Sequence, residues 1–434
     1  MSNVIERTQG RTPSGRYGPE MARTVPGALP RARTLIVALG ALTAFGPLSL
    51  DMYLPGLPQL ARDLGSSTSL AQLTLTACMV GLAGGQLLAG PMSDARGRRG
   101  PLIAGLALYA IASALCALAP SIWVLIPLRL VQGAAGAAGI VIARAIVRDL
   151  HEGEAAARFY ALLMLVNGVA PIAAPIVGGQ LLGVTDWRGV FWALTAIGVG
   201  LLLVGWRLVP ETLDPADRRG GGLRATTRVF GALLRDRGFL GCLLAQGLGV
   251  GMMFCYIAGS PFALQQVYGL SEQLFSVVFA VNALGIVLLA QVSARLVGRL
   301  GPRRLLVSGL WLGLCGALAL LLSVLADAGL AGVLPSLFAV VASVGLVTPN
   351  ATALALAGDP STAGSASALL GLSQFAFGAA FAPLVGIGGE GTALPLALTI
   401  AALGAASVTA YGLLGRSIGS GGSTGEEHIP SSSV

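Results

Sequence analysis

Apolar runs of about twenty residues recur along the whole chain, separated by short polar stretches rich in Arg, Gly and Pro. Six of them, at about 34–54, 70–92, 101–119, 122–146, 160–183 and 190–209, precede the longest polar interruption. Six more follow it, at about 239–264, 274–297, 305–326, 331–355, 363–387 and 392–414. A helix rising ~1.5 Å per residue needs about 20 residues to cross a ~30 Å hydrocarbon core, and each run is near that length. The pattern predicts an all-α membrane protein with twelve transmembrane helices in two six-helix halves, 34–209 and 239–414. Residues 210–238 read as a linker between them. Residues 1–33 and 415–434, which lack any apolar period, read as flexible tails.

Composition agrees with that class. Hydrophobic residues make up 55% and charged residues 11% of the chain, and mean hydropathy is +0.80; a soluble domain carries roughly 25% charged residues. The 62 glycines suit helices that pack closely in lipid. A net charge of +8 would suit nucleic acid, but it sits in short loops between apolar runs, where it sets membrane orientation instead. Every basic residue is Arg, and the N-terminal tail with the 2–3, 4–5, 6–7 and 8–9 loops holds almost all of them. Both termini are therefore expected in the cytoplasm, with the protein in the cytoplasmic membrane. Arg62 and Arg188 are what the opposite loops offer. Trp123 and Trp187 at outer ends, and Trp206 at an inner end, fit interfacial anchoring.

Cys78, Cys116, Cys242, Cys255 and Cys315 all fall inside apolar runs, and His151 and His428 are far apart, so no disulfide framework, metal site or cofactor is expected. No Gly-rich segment ends in the Gly-Lys-Ser/Thr of a phosphate loop, so ATP is not the expected energy source. The spans hold no His pair or Ser/Lys dyad, which argues against an intramembrane enzyme. No cleavable leader is expected either, because the polar first ~33 residues run straight into a spanning helix.

Polarity along the spans is more informative. Spans 3, 6, 9 and 12 contain no Asn, Gln, Asp, Glu or interior Arg, whereas the other eight carry buried amides or charges. Polar groups in a membrane face the bundle interior or a wet cavity. Every third helix should thus face lipid, with eight helices around a central polar pathway, which is the architecture of a transporter. Asp51, in LSLDMYLPGLP, follows a run with no charge at all. An ionised carboxylate there costs several kcal/mol unless it has a partner, water or a proton. Pro55 and Pro58 are expected to end helix 1 a turn later, which puts Asp51 about 5 Å and Arg129 of helix 4 about 10 Å from the outer ends. At comparable depth the two could pair. A static structural ion pair and a proton-carrying Asp51 that alternates partners are both consistent with that spacing.

Five segments carry a resemblance. GPMSDARGRR, Gly90 to Arg99, resembles the signature between helices 2 and 3 of the major facilitator superfamily. RLVQG, Arg129 to Gly133, is similar to its helix-4 motif, and NGVAPIAAPIVGG, Asn167 to Gly179, to its helix-5 antiporter motif, with Ala170 and Ala174 where the general form has Gly. The paired Ala-Pro version looks like that of the Bcr/CflA-type drug:proton antiporters, the bicyclomycin and chloramphenicol exporters. CYIAGSPF, Cys255 to Phe262, and TPNATALAL, Thr348 to Leu356, also resemble that family.

The resemblance implies the major facilitator fold and export of small, mostly apolar drugs in exchange for protons, without nucleic acid or ATP, by an expected monomer in the lipid bilayer. Asp51 and Arg129 would couple protons. Gly90, Asp94, Gly97, Arg98, Arg99 and Arg144 would form a conformational latch, with Arg144 or Arg148 pairing with Asp94. Gly168, Pro171, Pro175, Gly178 and Gly179 would form the antiporter motif. Tyr53, Gln132, Asn167, Tyr256, Asn282, Asn350 and Gln374 are candidate substrate contacts, though a buried amide bonding across helices is an equal reading for the asparagines. A proton-coupled nutrient importer and a non-transporting membrane sensor on the same fold are the alternatives.

Overall fold

The computed structural model describes residues 32–150, 153–215, 218, 229–357, 363–387 and 391–415. The two expected tails, apart from their inner edges, and the middle of the linker lie outside the described residues. The chain is helical throughout its twelve passages. Helix α1 is built of Ala32–Thr43, Phe45–Asp51, a 3-10 turn Leu54–Gly56 and Leu57–Asp63. It is followed by α2 (Thr68–Arg96), α3 (Arg99–Ala117), α4 (Ile122–Leu150), α5 (Gly153–Leu182) and α6 (Trp187–Leu208). The second half opens with α7 (Arg237–Phe262), extended by a π segment Ala263–Val267. A continuous stretch Glu272–Leu325 comes next and is split at Gly301 (φ 75°) into α8 and α9. The half closes with α10 (Gly329–Ala355), α11 (Ala363–Phe381, then a 3-10 turn Ala382–Gly386) and α12 (Leu394–Leu414). Among the described residues nine helices are long and apolar enough to cross a membrane, α8 and α9 counting as one. The remaining two passages are the segmented α1 and α5.

Local chemistry explains the ends. Ser67, Asp186, Asp236 and Ser271 cap α2, α6, α7 and α8 by accepting from backbone N–H groups in the first turn. Inside the first half, α2 and α4 touch backbone to backbone. A Cβ at Gly81 would strike the Leu130 carbonyl, and one at Gly133 would strike that of Cys78. Such contacts are how helices associate in lipid, where apolar side chains alone give no driving force. The outward faces match the polarity pattern: Leu108 and Ile111 of α3, Trp192 and Leu203 of α6, Trp311 and Leu322 of α9, and Leu398 and Leu413 of α12 are exposed.

One expectation fails. Pro55 and Pro58 do not end helix 1, because each falls in the first turn of a new helical segment, where a missing N–H costs nothing. The helix is broken at Met52–Tyr53 and resumes to Asp63. Asp51 thus lies about 18 Å below the outer end of α1 at ~1.5 Å per residue, far deeper than the expected 5 Å.

Candidate functional site

A cavity of about 670 Å³ lies between the halves. Its walls come from α1, α2, α4, α5, α7, α8, α10 and α11, and none of its lining residues belongs to α3, α6, α9 or α12. These are the eight helices that polarity singled out. On α1 the lining residues Thr43, Pro47, Leu50 and Asp51 recur at helical spacing and define one face. Among the described residues, Asp51 is the one carboxylate in the lining and Arg144 the one cation. The Asp51 side chain has no ion-pair partner among the described residues.

The second half supplies an aromatic wall. Tyr256 stacks on Phe279 with ring centroids 5.4 Å apart, and Phe254 lies 6.0 Å from Phe375. All four rings line the cavity, as do Gln86, Gln246 and Gln374. Asn282 and Asn350 do not. Asn282 donates to the Tyr256 hydroxyl at 2.9 Å, and Asn350 donates to the Ser293 hydroxyl and the Leu346 carbonyl, both at 2.7 Å. Asn282 thus holds Tyr256 of the wall from behind, and Asn350 ties α10 to α8. The Asn167 side chain lies outside the described residues.

Arg129 corrects the paired-charge expectation. Its guanidinium is fully buried and donates to the Ser49 carbonyl at 2.7 Å and to the Gln132 side-chain oxygen. The guanidinium carbon also lies 4.4 Å from the Tyr53 ring centroid and 5.4 Å from that of Phe191, within cation–π range. It makes no ion pair with Asp51. The reason is rotational: Ser49 and Tyr53 occupy the α1 face packed on α2 and α3, bonded to Tyr109 and Thr74, whereas Asp51 lies on the cavity face. Tyr53 and Gln132 are likewise fully buried in this neutral box, Gln132 donating to Ser113 at 2.7 Å, so neither is a cavity contact.

The end of the cavity at the α1–α2 and α7–α8 turns is shut by contacts between the halves. Gln72 donates to the Ala258 carbonyl at 3.2 Å, Gln265 to that of Pro55 at 3.0 Å, and Gln273 to that of Gly179 at 3.3 Å. The helix-5 motif belongs to this seam. Gly178 abuts the Met52 carbonyl at the break in α1, and Gly179 abuts Ser276 of the other half. Pro171 lines the cavity, Pro175 is buried, and Gly168 faces Val287 of α8.

At the opposite end, the turn between α2 and α3 forms a tight charge cluster. Gly97 takes a left-handed φ of 92° that brings Arg98 back over α2. Arg98 is the cation that holds Asp94, at 2.5 Å, and it also pairs with Asp149 of α4 at 2.8 Å. Burial disfavours the Arg98 charge, but hydrogen bonds and charge from Asp149 and Asp94 more than offset it and raise the pKa. The expected Asp94 partner Arg144 instead lines the cavity. Arg99 donates to the Trp206 carbonyl at 2.8 Å, and Gly90 approaches only the Val141 side chain. Sequence reasoning missed Asp149 and Glu211. The Glu211 carboxylate accepts from the backbone N–H groups of Arg98, Arg99, Thr212 and Leu213 at 2.7–3.2 Å, sitting as an anion at the start of α3. Its place just past α6, followed by Thr, was the available signal.

Comparison with known proteins places these features. Residues 39–383 match the family model described as Major Facilitator Superfamily. The chain is 39% identical over 364 residues to the uncharacterized MFS-type transporter YdgK of Bacillus subtilis, covering 83% of this chain and 90% of the relative. It is 30% identical to a bicyclomycin resistance protein homolog of Haemophilus influenzae, covering 87% and 94% of the two chains. It is 29% identical to the multidrug resistance protein MdtL of Escherichia coli, over 65% and 71%. Among solved structures, a bacterial homolog of the human lysosomal transporter Spinster, inward-facing and occupied, superposes with a TM-score of 0.72 at 17% identity, covering 90% of this chain and 98% of the other. A D-xylose–proton symporter superposes at 0.68 and 16% identity, covering 88% and 97%.

Proposed function

The chain belongs to the major facilitator superfamily of multi-pass membrane transporters, and on that footing we propose that it exports small, mostly apolar drugs in exchange for external protons. It works as a monomer in the cytoplasmic membrane, with both termini inside, and the halves rock about the central cavity. The single observation that supports the reading is Asp51, among the described residues the one carboxylate in the lining of a cavity otherwise walled by apolar and aromatic side chains, amides and hydroxyls with one arginine. A buried carboxylate that faces water from alternating sides can bind a proton from one and release it to the other. The aromatic wall of Phe254, Tyr256, Phe279 and Phe375 offers apolar and stacking contact to a drug. The relatives named for bicyclomycin and multidrug resistance favour export over import. With the Arg-rich end taken as cytoplasmic, the glutamine-bonded end that is shut is the outer one, which supports reading this as a state open to the cytoplasm.

Arg129 serves the coupling through the backbone of α1, where it holds the Ser49 carbonyl beside the break that follows Asp51. The test is a drug-susceptibility panel in a pump-deficient host, paired with drug-driven proton release in vesicles. Wild type raises tolerance to at least one apolar compound and moves protons with it, whereas Asp51→Asn loses the coupled flux. Unchanged drug/proton exchange in Asp51→Asn would refute the assignment.

A further inference from the structure

The exposed face of α8 carries a pattern that transport does not use. Leu274, Val277, Val281, Leu284, Leu288 and Val292 recur at spacings of three and four, and each is 40–52% exposed. They form one stripe about 27 Å long at ~1.5 Å per residue, close to the thickness of the hydrocarbon core. Continuing the same spacing brings Arg295 and Arg299 onto the same face, both exposed, just beyond the apolar stripe. One turn later, past the left-handed Gly301, Arg303 and Arg304 are exposed at the start of α9.

The comparable turn of the first half is electrically balanced, with Arg98 between Asp94 and Asp149. Superposing the Arg98-Arg99 pair on Arg303-Arg304 puts Arg299 where the first half has Asp94. None of the four arginines forms an ion pair with a described carboxylate. Four guanidinium groups at headgroup depth, continuous with an apolar stripe whose inner half is about as long as one leaflet's acyl layer is thick, match a ligand with a phosphate at one end and hydrocarbon at the other.

We propose that the inner end of α8, with Arg295, Arg299, Arg303 and Arg304, is a binding site for an anionic phospholipid whose acyl chain lies along the inner half of the stripe, Val281–Val292. Guanidinium forks hold phosphate oxygens bidentately, and a zwitterionic headgroup offers a competing cation that these arginines repel. The site lies outside the cavity, so it stands or falls independently of what the protein carries.

Native mass spectrometry of the full chain in detergent tests it, with dioleoyl-phosphatidylglycerol, dioleoyl-phosphatidylcholine and inorganic phosphate as probes. Phosphatidylglycerol is expected to be retained over phosphatidylcholine. Arg295→Gln with Arg299→Gln should weaken it about 25-fold, at about fivefold per guanidinium. Arg295→Lys with Arg299→Lys, which keeps the charges but loses the forks, should fall between wild type and the Gln variant, and Arg235→Gln, an exposed arginine of the linker, should leave it unchanged. If the double Gln variant fails to fold, the single Arg299→Gln still reads the fivefold loss. Equal retention of both lipids, or wild-type binding in the Gln variants, would overturn the proposal. So would displacement of the lipid by inorganic phosphate alone, which would make this a free-anion site.

Discussion

The seam that shuts the cavity at the α1–α2 turn includes, among the described residues, three amide-to-carbonyl bonds, and their strength can be worked out. Gln72, Gln265 and Gln273 each donate one hydrogen bond, at 3.2, 3.0 and 3.3 Å, to a backbone carbonyl of the opposite half. A neutral hydrogen bond contributes about 0.5–1.5 kcal/mol net, so replacing one Gln by Leu should raise the outward-open to closed ratio about two- to tenfold. The triple variant should shift it by about 1.5–4.5 kcal/mol if the bonds are independent. The three will not be equal. The Gln72 side-chain oxygen is buried without a hydrogen-bond partner among the described residues, so Leu at that site also removes a desolvation cost. Gln72→Leu should therefore fall at the low end, with Gln265→Leu and Gln273→Leu above it. Spin labels at Val184 and Leu325, exposed at outer ends of opposite halves, report the opening by pulsed electron–electron resonance. Cys315, the one exposed cysteine, is first changed to Ser. A longer-distance population that grows from wild type through the single variants to the triple is the expected outcome. An unchanged distance distribution in the triple variant would refute the reasoning.

Three further outcomes follow from contacts described above. Glu211→Gln keeps the shape but loses the charge that four backbone N–H groups address, and should cost about 1–3 kcal/mol, read as a lower midpoint of thermal unfolding in detergent. Gly178→Val drives a side chain into the Met52 carbonyl and should abolish transport at normal expression, whereas Gly168→Ala, with its nearest neighbour 4.0 Å away, should transport as wild type. Arg129→Lys keeps the charge but loses the planar fork that spans Ser49 and Gln132 and the stacking on Tyr53; a loss of about 2 kcal/mol in stability, with drug-driven proton release slowed but present, is expected from paired unfolding and vesicle assays.

Much of this fold was written in one dimension because a bilayer allows so few alternatives. Backbone groups in hydrocarbon must bond within their own helix, so run length alone counts the passages. Absence of amides and charges from spans 3, 6, 9 and 12 was enough to exclude those helices from the cavity wall, since an unpaired amide facing lipid is costly. Gln374 was found on the same grounds, and Tyr256 through the resemblance carried by Cys255–Phe262. Other members of the wall have no such signature: Phe254, Phe279 and Phe375 are apolar, and an apolar residue facing a cavity reads like one facing lipid. The charge cluster was half legible. Asp94 and Arg98 sit at i, i+4 on adjacent turns and could be paired on paper, but Asp149 and Glu211 reach them from 51 and 113 residues away. No local rule predicts such distances.

The miss at Asp51 and Arg129 has a more instructive cause. Depth along two helices was compared, and depth is one coordinate of two. At about 100° per residue, Ser49 and Asp51 point some 200° apart around α1. A cation that meets the Ser49–Tyr53 face cannot also meet the carboxylate. The spacing of Thr43, Pro47, Leu50 and Asp51 against that of Ser49 and Tyr53 already separates the two faces. What the letters could not supply was which face looks inward, because both carry polar groups. The consequence for mechanism is physical: a cation touching Asp51 would hold its proton affinity down in every state, whereas one bound to the backbone behind it leaves that affinity to be set by whatever enters the cavity. Under the proposed exchange, a carboxylate arranged in that way can answer to the drug.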